Sequence, residues 1–332
     1  MKRTKLGQTD IEISAQGLGC MGMAGWYSVR DDSEARATIA RALDLGITFF
    51  DTADVYGHGE NERFVGIELR PHRDHVIIAT KCGNVWDDSG RSVGVDCSPA
   101  YVRKACDASL KRLGIDVIDL FYLHRIDTEV PIEDSIGAMA GLVEAGKIRS
   151  VGLSEASPAT LRRAAQVHPI AALQTEYSLF HREPETEIIP TCRELGTTFV
   201  AYSPLSRGLL SGAIRSQSVL PESDVRRMFP RFSDDNLAGN LASLEVVESL
   251  AAGRGMTAAQ IALAWVHAKG QNNGDDIVPI PGTQRRSYLE QNASAADLAL
   301  TRQEIDALEG AVDSATIAGE RYPEYMMSRL NR

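Results

Sequence analysis

Short apolar segments alternate with segments of helical spacing eight times along this chain of 332 residues. That alternation restricts the fold more than any other feature. Strands are expected at 17–20, 48–51, 76–81, 117–124, 148–154, 171–177, 198–202 and 277–280. Helices are expected at 31–45, 61–69, 99–113, 132–145, 158–167, 185–195, 240–252, 258–268 and 285–292. Strand followed by helix, repeated, means parallel strands joined by crossover helices. Eight repeats close naturally into an α/β architecture of the (β/α)8 TIM-barrel type; an open doubly wound sheet is the competing arrangement. Residues 3–15 alternate around Gly7-Gln8-Thr9-Asp10 and predict an N-terminal β-hairpin. Residues 301–312 read as an additional C-terminal helix, with the tail to Arg332 lying over the barrel. No Pro/Gly/Ser-rich linker interrupts the pattern, so one domain spanning 1–332 is expected.

A barrel of this kind carries its chemistry at the carboxyl ends of the strands and in the loops that follow. The stretch TFFDTADVY (48–56) delivers Asp51 at the mouth of an apolar strand and Tyr56 five residues on. Lys81 ends the third strand and His124 the fourth. A lone strand-end histidine or lysine is more often structural, but ionisable residues at equivalent places on consecutive strands point to a site. A phenol has an unperturbed pKa of about 10. An ammonium beside it lowers that value, and a buried ammonium needs a carboxylate. Asp51, Lys81 and Tyr56 therefore read as one coupled unit with Tyr56 as proton donor, and His124 as the group that orients a substrate oxygen. No strong nucleophile accompanies them, so the other half of the reaction falls to a cofactor.

Composition excludes several other classes. A net charge of -10 and a pI near 5.3 argue against nucleic-acid partners and anionic membrane surfaces. The five cysteines (20, 82, 97, 106 and 192) form no CxxC pair, so neither a zinc site nor a disulfide framework is expected, and no metal. The start MKRTKLGQTDIEIS lacks the apolar core of a signal peptide, and no apolar run is long enough to span a bilayer. A cytoplasmic location is expected.

The set Asp51, Tyr56, Lys81 and His124 resembles the catalytic tetrad of the aldo-keto reductases, NADP(H)-dependent (β/α)8 enzymes. DTADVYG, ATKCG, YLHRID, GLSEAS (152–157), LQTEYSLF (173–180), AYSPLSRGLL (201–210) and PIPGTQRRSYLEQN (279–292) match in order and spacing over essentially the whole chain. The wording of GLGCMGM, LHRID and YSPLSRGLL is similar to the bacterial and plant branch that includes pyridoxal-reductase-like proteins. The resemblance implies reduction of an aldehyde or ketone to an alcohol, with Tyr56 as general acid, Lys81 and Asp51 tuning it, and His124 positioning the carbonyl. It further implies that Ser154 and Gln174 hold the nicotinamide carboxamide and that Tyr202 stacks on the ring. Ser203, Leu205, Ser206 and Gly208 would follow the pyrophosphate. Gly282, Thr283, Gln284, Arg286, Gln291 and Asn292 would surround the adenosine and its 2′-phosphate. Loops after strands seven and eight of such barrels form phosphate sites, and Arg285 and Arg286 would add positive charge there.

Two departures bear on the cofactor: many relatives carry Lys where this chain has Gln284 and Glu where it has Gln291. They weaken the preference for NADPH over NADH; NADPH/NADP+ remains the expectation. Gly17-Leu-Gly19-Cys-Met-Gly22 fits G-x-G-x-x-G, but loop follows it and no acid ends a strand about 20 residues on. Those glycines are read instead as room for nicotinamide and substrate, with Gly19 and Met21 in contact. Trp26, Tyr27, Trp86 and Arg125 are expected to line the substrate pocket, suiting a planar or hydrophobic carbonyl compound. Segment 228–232 is expected to close over the cofactor. Voltage-gated potassium-channel β-subunits share the barrel and tetrad, so a regulatory subunit or redox sensor with little turnover is the alternative. Such a subunit usually carries an N-terminal extension, whereas this chain starts at the hairpin.

Overall fold

The computed structural model describes residues 1–27, 29–87, 92–270 and 276–331. Strands β1 (Arg3–Lys5) and β2 (Glu12–Ser14) pair antiparallel as the expected hairpin. The barrel begins with β3 (Leu18–Gly19), β4 (Phe49–Asp51) and β5 (Ile77–Cys82). A short antiparallel ribbon then intervenes, β6 (Asn84–Trp86) with β7 (Ser92–Val95), which the sequence analysis does not predict. The barrel continues with β8 (Leu120–Leu123), β9 (Val151–Ser154), β10 (Ile170–Glu176), β11 (Thr198–Tyr202) and β12 (Ile277–Pro279).

Among the described residues these eight barrel strands form one parallel sheet in the order β12-β11-β10-β9-β8-β5-β4-β3. The ends meet: Gly17 N donates to Pro279 O at 3.0 Å, and Gly19 bridges Gly282 in parallel register. The result is a (β/α)8 barrel. The glycines of the G-x-G stretch explain the closure. A Cβ on Gly17 would lie 2.7 Å from the Phe49 ring, and one on Gly19 would lie 2.9 Å from Ile280 O. These two glycines therefore let neighbouring strands approach closely where the barrel closes, and Gly19 also lines the cavity described below. A 3-10 turn, Met21–Ala24, follows them instead of the α-helix a dinucleotide fingerprint needs.

Outer helices cover the sheet: α1 (Asp32–Asp44), α2 (Glu60–Leu69), α3 (Pro99–Leu113), α4 (Ile132–Glu144), α5 (Pro158–Val167) and α6 (Ile188–Leu195). Then come α7 (Asp234–Gly253), α8 (Ala258–Ala268), α9 (Arg286–Ser294), α10 (Arg302–Ala311) and α11 (Glu324–Met327). Caps fix their starts. The hydroxyls of Ser98 and Ser157 accept from Tyr101 N and Thr160 N, each at 3.3 Å, and Pro follows both. Helix α7 begins six residues earlier than the periodicity suggested, because Ser233 turns the chain directly out of the long loop after β11.

Strand side chains alternate between two cores, and this places the site. Phe49, Ala79, Leu120, Tyr122, Ala172, Val200 and Val278 pack inside the barrel with Leu6, Ile11 and Ile13 of the hairpin, which plugs its amino-terminal end. Their neighbours Phe50, Ile78, Phe121, Leu173 and Phe199 face the helices. Two residues further up each strand, the inward-facing position is Asp51, Lys81, His124, Ser154, Gln174 or Tyr202. The period of two thus carries an apolar interior into a polar upper layer.

Candidate active site

The upper layer is organised by a buried ion pair. Lys81 Nζ donates to Asp51 Oδ1 and, at 2.8 Å, to Thr52 O; Gln174 Nε2 donates to Asp51 Oδ2 at 2.8 Å. Burial pushes the Asp51 carboxyl up and the Lys81 ammonium down, and their contact opposes both shifts. Lys81 Nζ lies 5.2 Å from the centroid of the Tyr56 ring, and the Tyr56 and His124 rings meet edge to face with centroids 5.9 Å apart. The three strand-end residues and Tyr56, from the 3-10 turn after β4, therefore stand together at the mouth of the barrel.

The electrostatics differ from the sequence expectation in one respect. Burial, with the Asp51 charge behind it, holds the Tyr56 phenol well above its ordinary range. His124 is held well below its ordinary range by burial, then by the Arg125 and Lys81 charges, and stays neutral; its Nδ1 is buried with no partner.

A cavity of about 790 Å³ opens over these groups. Its lining includes Gly19, Met21, Trp26, Tyr27, Trp86, Arg125, Ser154 and Tyr202 among the expected residues. It runs on past Ser203, Leu205, Gly208, Gly282, Thr283, Gln284, Gln291 and Asn292. Trp26 and Trp86 meet at 6.1 Å, and Trp26 approaches Tyr56 at 6.3 Å. Lys81 lies beneath the cavity floor. Ser206 is buried beside it, its Oγ without a partner, in a turn where Ser203, Ser206 and Arg207 all hold left-handed φ near +50°. Runs of left-handed residues such as these, with Gly208 at φ +100°, are backbone settings in which anion-binding nests form. An orphaned hydroxyl and a left-handed turn that also brings Arg207 to the lining fit a phosphorylated cofactor.

Arg286 does not line the cavity. It is the first residue of α9, turned outward to pair with Glu34 of α1 at 3.0 Å, whereas Arg285, one position earlier in extended backbone, lines the cavity over the Tyr288 ring at 5.5 Å. Gln284 lines the cavity while donating to Val29 O at 3.0 Å. The loop after β11 crosses the mouth: Val225 N donates to Trp26 O at 3.2 Å and Arg226 Nη2 to Tyr27 O at 3.2 Å. Segment 228–232 is packed rather than free, with Arg231 and Phe232 buried and the Phe229 ring 5.6 Å from Tyr322.

Sequence reasoning missed a second buried cluster beside the first. Glu155 and Glu176, at the ends of β9 and β10, meet three arginines from distant segments. Arg207 donates to Glu176 at 3.1 and 2.8 Å, and Arg321 to Glu155 at 3.0 and 3.1 Å; Arg231 lies 3.5 Å from Glu176. Despite burial, these cations hold both glutamates down to about 2. Tyr202 Oη donates to Glu155 Oε1 at 2.7 Å and shares a 2.9 Å contact with Tyr322 Oη. The cluster thus fixes Tyr202 from behind while the C-terminal tail forms a cavity wall.

Together these features define a (β/α)8 oxidoreductase with its chemistry at the carboxyl end of the barrel. Residues 16–313 match the aldo/keto reductase family, and the chain belongs to it. A glycerol dehydrogenase from Gluconobacter oxydans is 31% identical with a TM-score of 0.83, covering 93% of this chain and 94% of its own. An aldo-keto reductase from Bacillus halodurans, in holo form, is 28% identical with a TM-score of 0.74, covering 95% and 97%. A thermostable aldo-keto reductase solved with the inhibitor epalrestat is 29% identical with a TM-score of 0.73, covering 94% and 100%. The family acts on small-molecule carbonyl compounds with a nicotinamide cofactor. Among the described residues no helix is long and apolar enough to cross a membrane.

Proposed function

We propose that this protein is a cytoplasmic, single-domain NADP(H)-dependent reductase of aldehydes or ketones, with Asp51, Tyr56, Lys81 and His124 as its catalytic residues. The observation that carries the reading is the Asp51–Lys81 pair lying under Tyr56, with neutral His124 facing it across the mouth of the cavity. When bound, the reduced nicotinamide supplies a hydride to the carbonyl carbon.

The residues of the chain manage the oxygen. Negative charge grows on that oxygen during reduction, and a phenol held protonated by burial carries its proton at neutral pH, to be given up as that charge develops. Lys81, close beneath the ring, stabilises the phenolate left behind, and Asp51 keeps Lys81 charged. His124, neutral and at the cavity mouth, donates a ring N–H to the carbonyl oxygen without competing for the proton. Gln174 and Ser154, in register on neighbouring strands and both in the cavity lining, support a role in holding the carboxamide. Tyr202, anchored through Glu155, offers its ring face to the nicotinamide. Arg285, lining the strand-eight end of the cavity, favours a 2′-phosphate.

Tryptophan fluorescence tests the cofactor, since Trp26 and Trp86 line the cavity. Titration with NADPH is expected to quench emission at lower concentration than NADH. Tighter binding of NADH would reverse the cofactor preference, and no quenching by either would remove the reductase reading.

A further inference from the structure

We propose that the carbonyl substrate carries an anionic group, a carboxylate, and that Arg125 binds it; this rests on the reductase reading above. The first observation is the charge of the cavity wall. In a chain of net charge -10, the lining among the described residues holds five arginines (Arg125, Arg207, Arg226, Arg285 and Arg329) and one carboxylate, Asp51, which is taken by Lys81. Low-dielectric walls focus such a field, so the cavity attracts anions although the molecule as a whole repels them.

The second observation separates Arg125 from Arg207, Arg226 and Arg285. Arg207 is closed by Glu176 at 2.8 Å and Arg226 by Asp224 at 2.6 Å. Arg285 lies at the strand-eight end, where the cofactor phosphates are expected. Arg125 lies at the tetrad end, next to His124 in sequence. Its contacts are all neutral: His124 O at 2.7 Å, Ser154 Oγ at 3.4 Å and Tyr322 Oη at 3.4 Å. Among the described residues no carboxylate lies within ion-pair distance of it. The nearest acid to influence it, Glu155, already accepts from Arg321, Tyr202 and a backbone amide. Three contacts leave two of five guanidinium N–H groups free. A half-buried guanidinium with spare donors, beside aromatic walls and the proton donor, suits an aromatic or apolar aldehyde bearing an acid. Tyr322 closes the opposite side, with Arg125 5.9 Å from its ring.

The test compares 4-carboxybenzaldehyde with its neutral methyl ester, methyl 4-formylbenzoate, and with 4-formylphenyl phosphate, in the wild type, Arg125→Met and Arg125→Lys. The wild type is expected to favour the carboxylate over the ester in kcat/KM, chiefly through KM. Arg125→Met is expected to lower that preference about 10–100-fold, the range for a hydrogen bond to a charged group, and Arg125→Lys to retain part of it. A wild type that prefers the ester, or a preference unchanged in both variants, overturns the proposal. A phosphate compound favoured over the carboxylate overturns the choice of carboxylate. Tryptophan quenching by the same three compounds is read without cofactor. If no compound is reduced, the reductase reading fails, and quenching alone still decides whether Arg125 selects the anion.

Discussion

Arg321 donates to both carboxylate oxygens of Glu155, at 3.0 and 3.1 Å, although 166 positions separate the two in sequence. The pair pins the C-terminal tail to the end of β9. The same Glu155 oxygen that receives Arg321 also receives the Tyr202 hydroxyl and the backbone N–H of Glu176. The tail therefore reaches the proposed nicotinamide platform through one carboxylate.

Removing one member of a buried ion pair leaves the other charge uncompensated. Arg321→Met is expected to destabilise the protein by about 3 kcal/mol and to weaken NADPH binding because Tyr202 loses its anchor. Urea unfolding and the fluorescence titration measure the two effects. A loss of stability with unchanged cofactor affinity would make the pair a structural clasp only.

The same cluster sets the acid limit. Glu155 and Glu176 are held at about 2, below the ordinary 4.5, so their stabilisation is full above 4.5 and is lost as pH falls toward 2. Stability is expected to fall through that window, and Glu155→Gln is expected to make the slope shallower by roughly 1 kcal/mol per pH unit. Urea unfolding at stepped pH reads it. An unchanged slope would mean that Glu155 does not titrate with folding.

The pH dependence of turnover follows from the other end of the site. His124 is pushed well below the usual imidazole range and Tyr56 well above the usual phenol range. Carbonyl reduction is expected to show no inflection near 6.5 and to persist through pH 9, because neither group changes protonation there. An inflection near 6.5 that His124→Gln removes would contradict the neutral-histidine assignment.

The two neighbouring arginines at the start of α9 separate cleanly. Arg285→Glu is expected to weaken NADPH more than NADH, because Arg285 lines the cavity. Arg286→Glu is expected to leave both nearly unchanged, because Arg286 faces Glu34. Fluorescence titrations of the two variants compare them, and the opposite ranking would relocate the 2′-phosphate.

The barrel was legible because its signal is periodic: buried strands of β4, β5 and β8 ended on Asp51, Lys81 and His124, and topology alone brings those ends together. Glu155 and Glu176 obey the same rule and could have been found by it, since both are acids at strand ends. Their partners could not. Arg207, Arg231 and Arg321 come from loops and the tail, where no period links sequence to space, and only the folded path shows which acid each one meets. The G-x-G stretch hid a second demand for a related reason: strand closure needs Gly17 and Gly19 too, and in sequence that demand looks the same as room for a ligand. Arg285 and Arg286 are equivalent in sequence, and only the turn at the start of α9 decides that Arg285 lines the cavity while Arg286 meets Glu34.

The most direct measurement is NADPH-dependent reduction of 4-carboxybenzaldehyde by the wild type and Tyr56→Phe, with NADPH affinity read in parallel by fluorescence. The phenol is assigned the proton and no part in holding the cofactor. Turnover is expected to fall roughly 10²–10⁴-fold with NADPH affinity nearly unchanged. A variant that turns over at the wild-type rate would remove Tyr56 as the donor and, with it, the role given to the Asp51–Lys81 pair beneath it.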